Sequence, residues 1–439
     1  MAHDSTRFHD DAEGDEATTG NRLSIPSGAH ESNRAPFAIE RWMVRKLLSL
    51  IGHPPLTLEL WDGEVITGDH PDNTYQIRLR DPGALYQLLS NPNMAFGDLY
   101  SSGRLDVDGD LPDLLTMLYQ AADGAREHWP AWIRKLWDSH TPRSTGIDDA
   151  RSNIHHHYDL GNDFYRLWLD TAEMQYTCAY FEEEGLSLEQ AQLAKLEHVC
   201  RKLRLQPGQT VVEAGCGWGG LARYMARHYG VRVHAYNISK EQLAYAREEA
   251  KRQSLDHLID YIEDDYRNIE GQYDAFVSVG MLEHVGTSHY DDMADVIHRS
   301  LKPDGLALLH SIGRNCPRPM NPWIEKRIFP GAYPPSIGEF MGLCETQSFS
   351  VLDVENLRLH YAETLEHWLA RYEANEEQVR AYYDDDFVRA WRMYLAGSIA
   401  AFRASSLQLF QVVLTHGTNN EVPRNRKHLY QSPAAPEDA

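Results

Sequence analysis

Apolar and polar residues alternate along this chain with two different periods. Between Ile39 and Ile51 the residues Trp42, Met43, Leu47, Leu48 and Ile51 recur at helical spacing, which predicts an amphipathic helix. A period of two follows in Leu56–Trp61 and again in Tyr75–Leu79, with the turn signal Asp62-Gly63 after the first, so two strands are expected. Helical patterns return around Ala84–Leu89 and Asp110–Ala121. A helix over Leu188–Leu203 then leads into five short apolar runs: Thr210–Ala214, Arg232–Tyr236, Ile259–Ile262, Ala275–Val279 and Leu306–Gly313. Strand and helix alternating five times predict an α/β fold with a doubly wound, mostly parallel sheet. From His360 onward the pattern reads as helical. Its apolar stripe runs through Trp391, Tyr394, Leu395, Ile399, Phe402, Leu407, Phe410 and Val413, and suits a core more than a lipid tunnel.

The pattern also sets the expected divisions. Residues 1–35 are rich in Asp, Glu, Ser, Gly and Asn and read as a disordered acidic tail. Residues 36–140 read as a small α+β domain for lipid binding, dimerisation or packing. Residues 141–150, with Pro142 and Gly146, read as a linker. Residues 151–431 hold the doubly wound unit, and 432–439 form a second disordered tail.

Composition narrows the class. With 439 residues, 42% of them hydrophobic, two domains are the natural expectation. No run of about 18 apolar residues suggests a membrane span, and the first residues lack the apolar core of a signal peptide. Five cysteines without a C-x-x-C pair point to a reducing cytoplasm and no structural zinc. The run His155-His156-His157 has no matching ligand pair nearby, so no metal is expected. A formal net charge of −23 argues against nucleic acid and sits awkwardly with an anionic membrane. The basic cluster Arg424–Lys427 remains a possible local contact. Asp384-Asp385-Asp386 reads as a solvated loop or helix end.

The most informative stretch runs through Glu213, Ala214, Gly215, Cys216, Gly217, Trp218, Gly219, Gly220, Leu221 and Ala222. It reads as a buried strand, a glycine turn and a helix start. Its E-x-G-x-G-x-G pattern does not fit the dinucleotide fingerprint G-x-G-x-x-G. It suits a cofactor without phosphates, such as S-adenosylmethionine; the plain alternative is a turn with no ligand. Strand two ends at Asn237, Ile238, Ser239, Lys240, Glu241 and Gln242. Ser239 is a good helix cap with Gln242 at the capping-box position, and Asn237 stands where a carboxylate usually binds ribose. After strand three, Asp264-Asp265-Tyr266 offers an acid and an aromatic ring for an adenine, or a solvated turn. Glu283 and His310 fall at strand ends on the same rim, as acid–base candidates or as ordinary polar rim residues. Upstream, residues 154–181 interleave His, Asp and aromatic residues, suiting either a packed cap or a cover over the cofactor. Between Asn315 and Glu339 a long Pro-rich excursion carries Trp323, Ile324, Ile328 and Phe329, fit for the wall of a greasy substrate site.

Several blocks together resemble the cyclopropane fatty acid synthases, a family that includes the mycolic acid cyclopropane synthases. They are HYDLGNDFYRLWLD, YTCAYF, EAGCGWGGLA, EHVG and WRMYLAGSIAAFRASSLQLFQVVL. The similarity spans about 36–431, and AFGDLYSSGRLDVDGDL resembles the extra N-terminal domain of the phospholipid-acting members. It implies a class I methyltransferase fold and methylene transfer from S-adenosylmethionine to a cis double bond of a phospholipid acyl chain. It also implies bound bicarbonate as base, held by the side chains of Glu283, His310 and Tyr361 and by the backbone at Cys178 and Ile312. Tyr176 and Thr177 join Glu213–Ala222, Asn237–Gln242, Asp265 and Tyr266 as cofactor contacts. A cytoplasmic homodimer visiting the inner face of the cell membrane is the implied setting. Two departures from the family pattern are Thr177 for Ser and GAYPPS for GGxLPS. The same carbocation, losing its proton elsewhere, would give methylene- or methyl-branched chains. A catalytically silent lipid- or cofactor-binding protein is the alternative of another class.

Overall fold

The structure is a computed structural model that describes residues 34–430, apart from 51–53, 69, 71–73 and 128–159. The expected linker 141–150, the run His155–His157 and nearly all of both tails lie outside the described residues. Arg34 and Ala35, assigned to the N-terminal tail, belong instead to the folded part. Arg34 pairs with Glu40, its guanidinium lies over the Phe37 ring, and its carbonyl accepts from the Trp61 indole.

The N-terminal layer is a four-stranded sheet with helices. Helix α1 (Ala38–Leu50) precedes strands β1 (Leu56–Glu59), β2 (Val65–Thr67) and β3 (Tyr75–Leu79). Helices α2 (Pro82–Ser90) and α3 (Pro92–Ser101), strand β4 (Leu105–Asp108) and helix α4 (Leu111–Glu127) complete it. The strand order is β2-β1-β3-β4. Strands β2 and β4 and helix α3 are additions to the sequence reading. The strands are only three and four residues long, too short to show a period.

The second unit begins with α5 (Asn162–Arg166) and α6 (Leu188–Leu203). A reciprocal capping box between Ser187 and Gln190 starts α6, and Arg204 closes it in the left-handed conformation. Then follow β5 (Thr210–Ala214), α7 (Gly220–Tyr229), β6 (Arg232–Asn237), α8 (Lys240–Arg252), β7 (Ile259–Glu263) and β8 (Tyr273–Val279). Next come α9 (Leu282–Val285), α10 (Tyr290–Ser300), β9 (Leu301–Gly313), α11 (Pro322–Arg327) and α12 (Ile337–Thr346). The chain ends with β10 (Ser350–Asn356), α13 (Arg358–Ala374), α14 (Glu376–Tyr382), α15 (Asp385–Arg403), β11 (Gln408–Thr415) and α16 (Lys427–Tyr430). Seven strands form one sheet in the order β10-β11-β9-β8-β5-β6-β7. The five expected strands pair in parallel, and β11 inserts antiparallel between β9 and β10. The doubly wound, mostly parallel sheet is thus the observed fold.

One expectation fails here. The apolar stripe does not continue as a helix to Leu414. Helix α15 stops at Arg403, and Gln408–Thr415 is a strand buried at every position. A strand buried on both faces is a continuous apolar run, which periodicity cannot separate from a buried helix. The acidic run before α15 is a cap: the Asp384 carboxylate accepts the amide of Phe387.

The N-terminal layer is fastened to the second unit through the Pro-rich excursion and α15. The Asp98 carboxylate accepts from Nε and NH2 of Arg327 at 3.0 and 2.9 Å and from the Trp323 indole at 3.1 Å. Arg389 donates to the Tyr100 carbonyl and to Asp106, and Arg403 pairs with Asp113. The Trp323 ring lies directly on Gly97, where an added Cβ would stand 2.5 Å from three ring atoms. Trp323 is therefore an anchor to the N-terminal layer, and the expectation that it walls a substrate site is corrected.

Gly97→Ala should force the ring or α3 to shift, at a cost of about 1–3 kcal/mol. Urea unfolding of the full chain measures it, and an unchanged midpoint would mean that this contact does not hold the two parts together.

Candidate active site

The glycine turn sits at the carboxyl ends of the parallel strands, between β5 and α7. Gly215, Gly217 and Gly219 all have positive φ, at +84°, +52° and +76°, which a Cβ disfavours. A Cβ on Gly220 would stand 2.3 Å from Nε2 of Gln175 and 2.6 Å from the Glu173 carbonyl. The bare backbone thus lets segment 173–177 lie directly on the start of α7. Buried Arg223 reinforces this, donating through Nε and NH2 to Glu173 and through NH1 to the Trp218 carbonyl. The Asp170 carboxylate accepts the amides of Glu173 and Gln175 and shapes the same turn.

A cleft opens beside the turn. Gly215, Tyr236, Asn237, Ile238, Asp264 and Asp265 line one part of it, and Tyr266, Arg267, Met281, His284 and Val285 the rest. Of the sequence candidates, Gly215, Asn237, Ile238, Asp265 and Tyr266 reach this lining. Asn237 does so with its side chain fully engaged. Its amide donates to the Gly217 carbonyl and to Gln242 Oε1, and its oxygen accepts the amides of Ile238 and Ser239. It braces the turn and has no group left for a ribose. Ser239 does cap α8, but Gln242 turns to Asn237, so the expected capping box is not closed. Lys240 and Glu241 are exposed and line no part of the cavity, Lys240 lying 3.7 Å from Glu263. Cys216, Trp218, Leu221 and Ala222 are buried in the packing, with the Trp218 indole donating to Asn162.

Asp265 caps a short turn over Tyr266–Asn268 and pairs with Arg267, whose guanidinium lies over the Tyr266 ring. His284 was missed by sequence reasoning although it is part of EHVG. Burial holds its imidazole down to about 4, so it faces the cavity neutral, able both to donate and to accept.

A second cluster lies one strand over. Glu283 on α9 is buried, and its Oε1 accepts the Ile312 amide at 2.6 Å. Its Oε2 has no partner among the described residues. The carbonyl of Glu283 accepts from the amide of Tyr333, on the Pro-rich excursion, at 2.8 Å. His310 and Ile312, two apart on β9, share a face of the sheet. Nδ1 of buried His310 lies 3.0 Å from the amide nitrogen of Gln411, directly opposite on β11. That contact engages Nδ1 with the Gln411 amide and leaves Nε2 directed elsewhere. Burial, with Lys195 and Lys202 nearby, holds His310 far below its ordinary value and hence neutral. Gln411 escaped the sequence reading because its strand was read as helix; two glutamines inside an apolar run were the available signal.

Cys178 and Tyr361 join this cluster through Leu357. The Cys178 Sγ lies 3.1 Å from the Ala179 carbonyl oxygen and 3.9 Å from that of Leu357, either able to accept its one proton. Leu357 donates to Leu409, the cross-strand partner of Ile312, and its carbonyl accepts the Tyr361 amide one turn into α13. The Tyr361 ring packs on Phe402 at 4.7 Å and on Trp368 at 6.0 Å. Tyr176 packs on Trp368, and its hydroxyl lies 2.9 Å from that of Tyr394. Phe329 packs on Tyr394 and faces His284, so this part of the excursion does form a wall. The arrangement is an aromatic enclosure with two buried acid–base groups, a carboxyl and an imidazole, beside a cleft at the glycine turn.

Comparison with known proteins agrees with this architecture. Residues 146–412 match the family described as mycolic acid cyclopropane synthetase, and residues 43–128 match a domain of unknown function. The chain is 36% identical over 396 residues to a probable fatty acid methyltransferase of Pseudomonas putida, covering 86% of this chain and 97% of that one. It is also 36% identical over 365 residues to the cyclopropane-fatty-acyl-phospholipid synthase of Escherichia coli K12, covering 82% and 91%. Among solved structures it resembles the cyclopropane synthase MmaA2 from Mycobacterium tuberculosis, with 30% identity, a TM-score of 0.58 and coverage of 60% and 97%. It also resembles the mycolic acid cyclopropane synthase CmaA1 complexed with SAH and CTAB, with 32% identity, a TM-score of 0.57 and the same coverage. A methyltransferase sheet with its glycine turn, and a family match over more than half its length, place it plainly: the chain belongs to the mycolic acid cyclopropane synthetase family.

Proposed function

We propose that the chain transfers a methylene group from S-adenosylmethionine to a cis double bond of an unsaturated phospholipid acyl chain, forming a cyclopropane ring. The observation that carries this reading is Glu283, a buried carboxyl with one oxygen on the Ile312 amide and the other without a hydrogen-bond partner among the described residues. The alkene attacks the sulfonium methyl. A C–C bond forms, the S–C bond breaks, and a thioether and a carbocation remain. Losing a proton from the added methyl closes the third C–C bond.

Bicarbonate bound beside Glu283 would supply the base for that proton. The residues present fit such an anion. Burial lifts Glu283 to about 7, so its carboxyl can keep a proton and donate it to an anion. Neutral His310 has its Nε2 outside the Gln411 contact, and the Cys178 amide has no hydrogen-bond partner among the described residues. The Ile312 amide is already used by Glu283, so an anion there would share it. The rings of Tyr176, Trp368, Tyr361, Phe402, Tyr394 and Phe329 exclude water and offer electron-rich faces to a cation. At the protein surface, Phe37, Ile39 and Trp42 are exposed beside Arg41, Arg45 and Lys46, which suits peripheral contact with an anionic bilayer. Among the described residues no helix is long and apolar enough to cross a membrane.

Three outcomes test this reading. Phospholipids incubated with the protein and S-adenosylmethionine should gain one methylene in mass and show upfield ring-proton signals. A mass gain with vinylic methylene signals would replace ring closure by branching. Removing carbon dioxide and bicarbonate should suppress turnover, and adding bicarbonate should restore it. Glu283→Gln should lower turnover roughly 10²–10⁴-fold, and unchanged turnover would remove Glu283 from the chemistry.

Glu283 also predicts a pH signature in stability. The folded protein keeps the carboxyl protonated up to about 7, whereas the unfolded chain loses that proton near 4.5. Between those values the folded state binds more protons, so stability falls as pH rises through that window and stays lower above it. Glu283→Gln has nothing to ionise. Its stability relative to the native chain should therefore improve by about 2–3 kcal/mol between pH 5 and pH 8 in urea unfolding; an equal difference at both pH values would contradict the buried, protonated carboxyl.

A further inference from the structure

Lys195 is fully buried on α6, with no carboxylate among the described residues in hydrogen-bond range. Its ammonium donates to Thr177 Oγ1 at 2.9 Å and to Gln175 Oε1 at 2.5 Å. Gln192, one turn earlier on the same helix, donates to the Thr177 carbonyl at 2.9 Å. A buried ammonium is costly, and holding the 175–177 segment in place would not require one.

The direction of these bonds is informative. An ammonium can only donate, so it occupies a lone pair of the Thr177 hydroxyl. The hydroxyl proton must then go to an acceptor elsewhere. Thr177 borders the sheet rim, its Cγ2 3.0 Å from where a Cβ on Gly280 would stand. The next residue, Met281, stands 3.2 Å from the corresponding position on Gly215 in the glycine turn. So Thr177, with its methyl against Gly280, lies one residue from Met281, which borders both the glycine turn and the cavity. On the same rim Glu213, at the end of β5, is buried and its Oε2 has no partner among the described residues. One forced donor and one open acceptor thus lie close to the turn, over a buried cation and a buried carboxyl that attract each other.

We propose that Lys195 is a positioning residue for the amino-acid end of S-adenosylmethionine, turning the Thr177 hydroxyl toward the α-carboxylate while Glu213 receives the α-ammonium. This rests on the reading of the chain as an S-adenosylmethionine-dependent enzyme. Burial lowers Lys195 to about 8 and lifts Glu213 to about 8. Burial thus pushes both toward their neutral forms, and a zwitterionic ligand favours the charged form of both.

The test is calorimetric titration of the ligand-free full chain with S-adenosylmethionine and with decarboxylated S-adenosylmethionine, which lacks only the α-carboxylate. Lys195→Met should weaken S-adenosylmethionine at least tenfold and the decarboxylated analogue less than twofold. Thr177→Val, which keeps the lysine, should give the same selective loss and decides the matter if Lys195→Met does not fold. Equal losses for both ligands, or no loss for either, would overturn the proposal and leave Lys195 a staple of the segment. If the native chain binds neither ligand, the enzymatic reading itself fails first.

Discussion

The site depends on how closely segment 173–177 can approach the start of α7. A side chain at Gly220 would overlap Gln175 and the Glu173 carbonyl, so the approach exists only because that position is bare. The buried Arg223–Glu173 pair then locks it, since breaking one member would strand a charge away from water. Everything downstream in this short segment follows. Tyr176 is set among Trp168, Trp368 and Tyr165, Thr177 over Lys195, and Cys178 against the start of α13. One steric allowance in the glycine turn therefore brings together the cleft at that turn and the aromatic enclosure.

Burial works the same way on each ionisable group here. Glu213 and Glu283 are pushed up, and His284 and His310 down, each chiefly because water is excluded. The imidazoles thus stay neutral, and each carboxyl holds its proton to a higher pH than in water, able to donate as well as accept a hydrogen bond. Such surroundings suit a reaction in which a sulfonium charge moves onto carbon, because neither His284 nor His310 adds a positive charge against the cation. They also make the site sensitive to any route by which water enters.

Much of this was legible in the sequence, for identifiable reasons. The parallel strands announce themselves because each is a short apolar run ending at a glycine or polar rim residue, as Val279 runs into Gly280. The glycine turn and Glu283 stand out because their residue types are unusual at strand ends. Strand β11 stayed hidden because a strand buried on both faces has no period, and Gln411 was lost with it. Asn237 was placed correctly on the rim, but its side chain is used up locally, which depends on the carbonyl of Gly217 twenty residues away. Trp323 looked like substrate wall because it is large and apolar. Its true neighbour, Gly97, is one of many glycines, and nothing local links the two.

That last contact has a consequence for how the chain is made. Asp98 and Trp323 are 225 residues apart. At about 5–20 residues per second, the N-terminal layer leaves the ribosome tens of seconds before its anchor is synthesised. During that interval Asp98 has neither Arg327 nor the Trp323 indole, and the face of α3 around Gly97 is open to water and to other nascent chains. Premature association is then a hazard of synthesis for this chain, one that the finished molecule no longer displays.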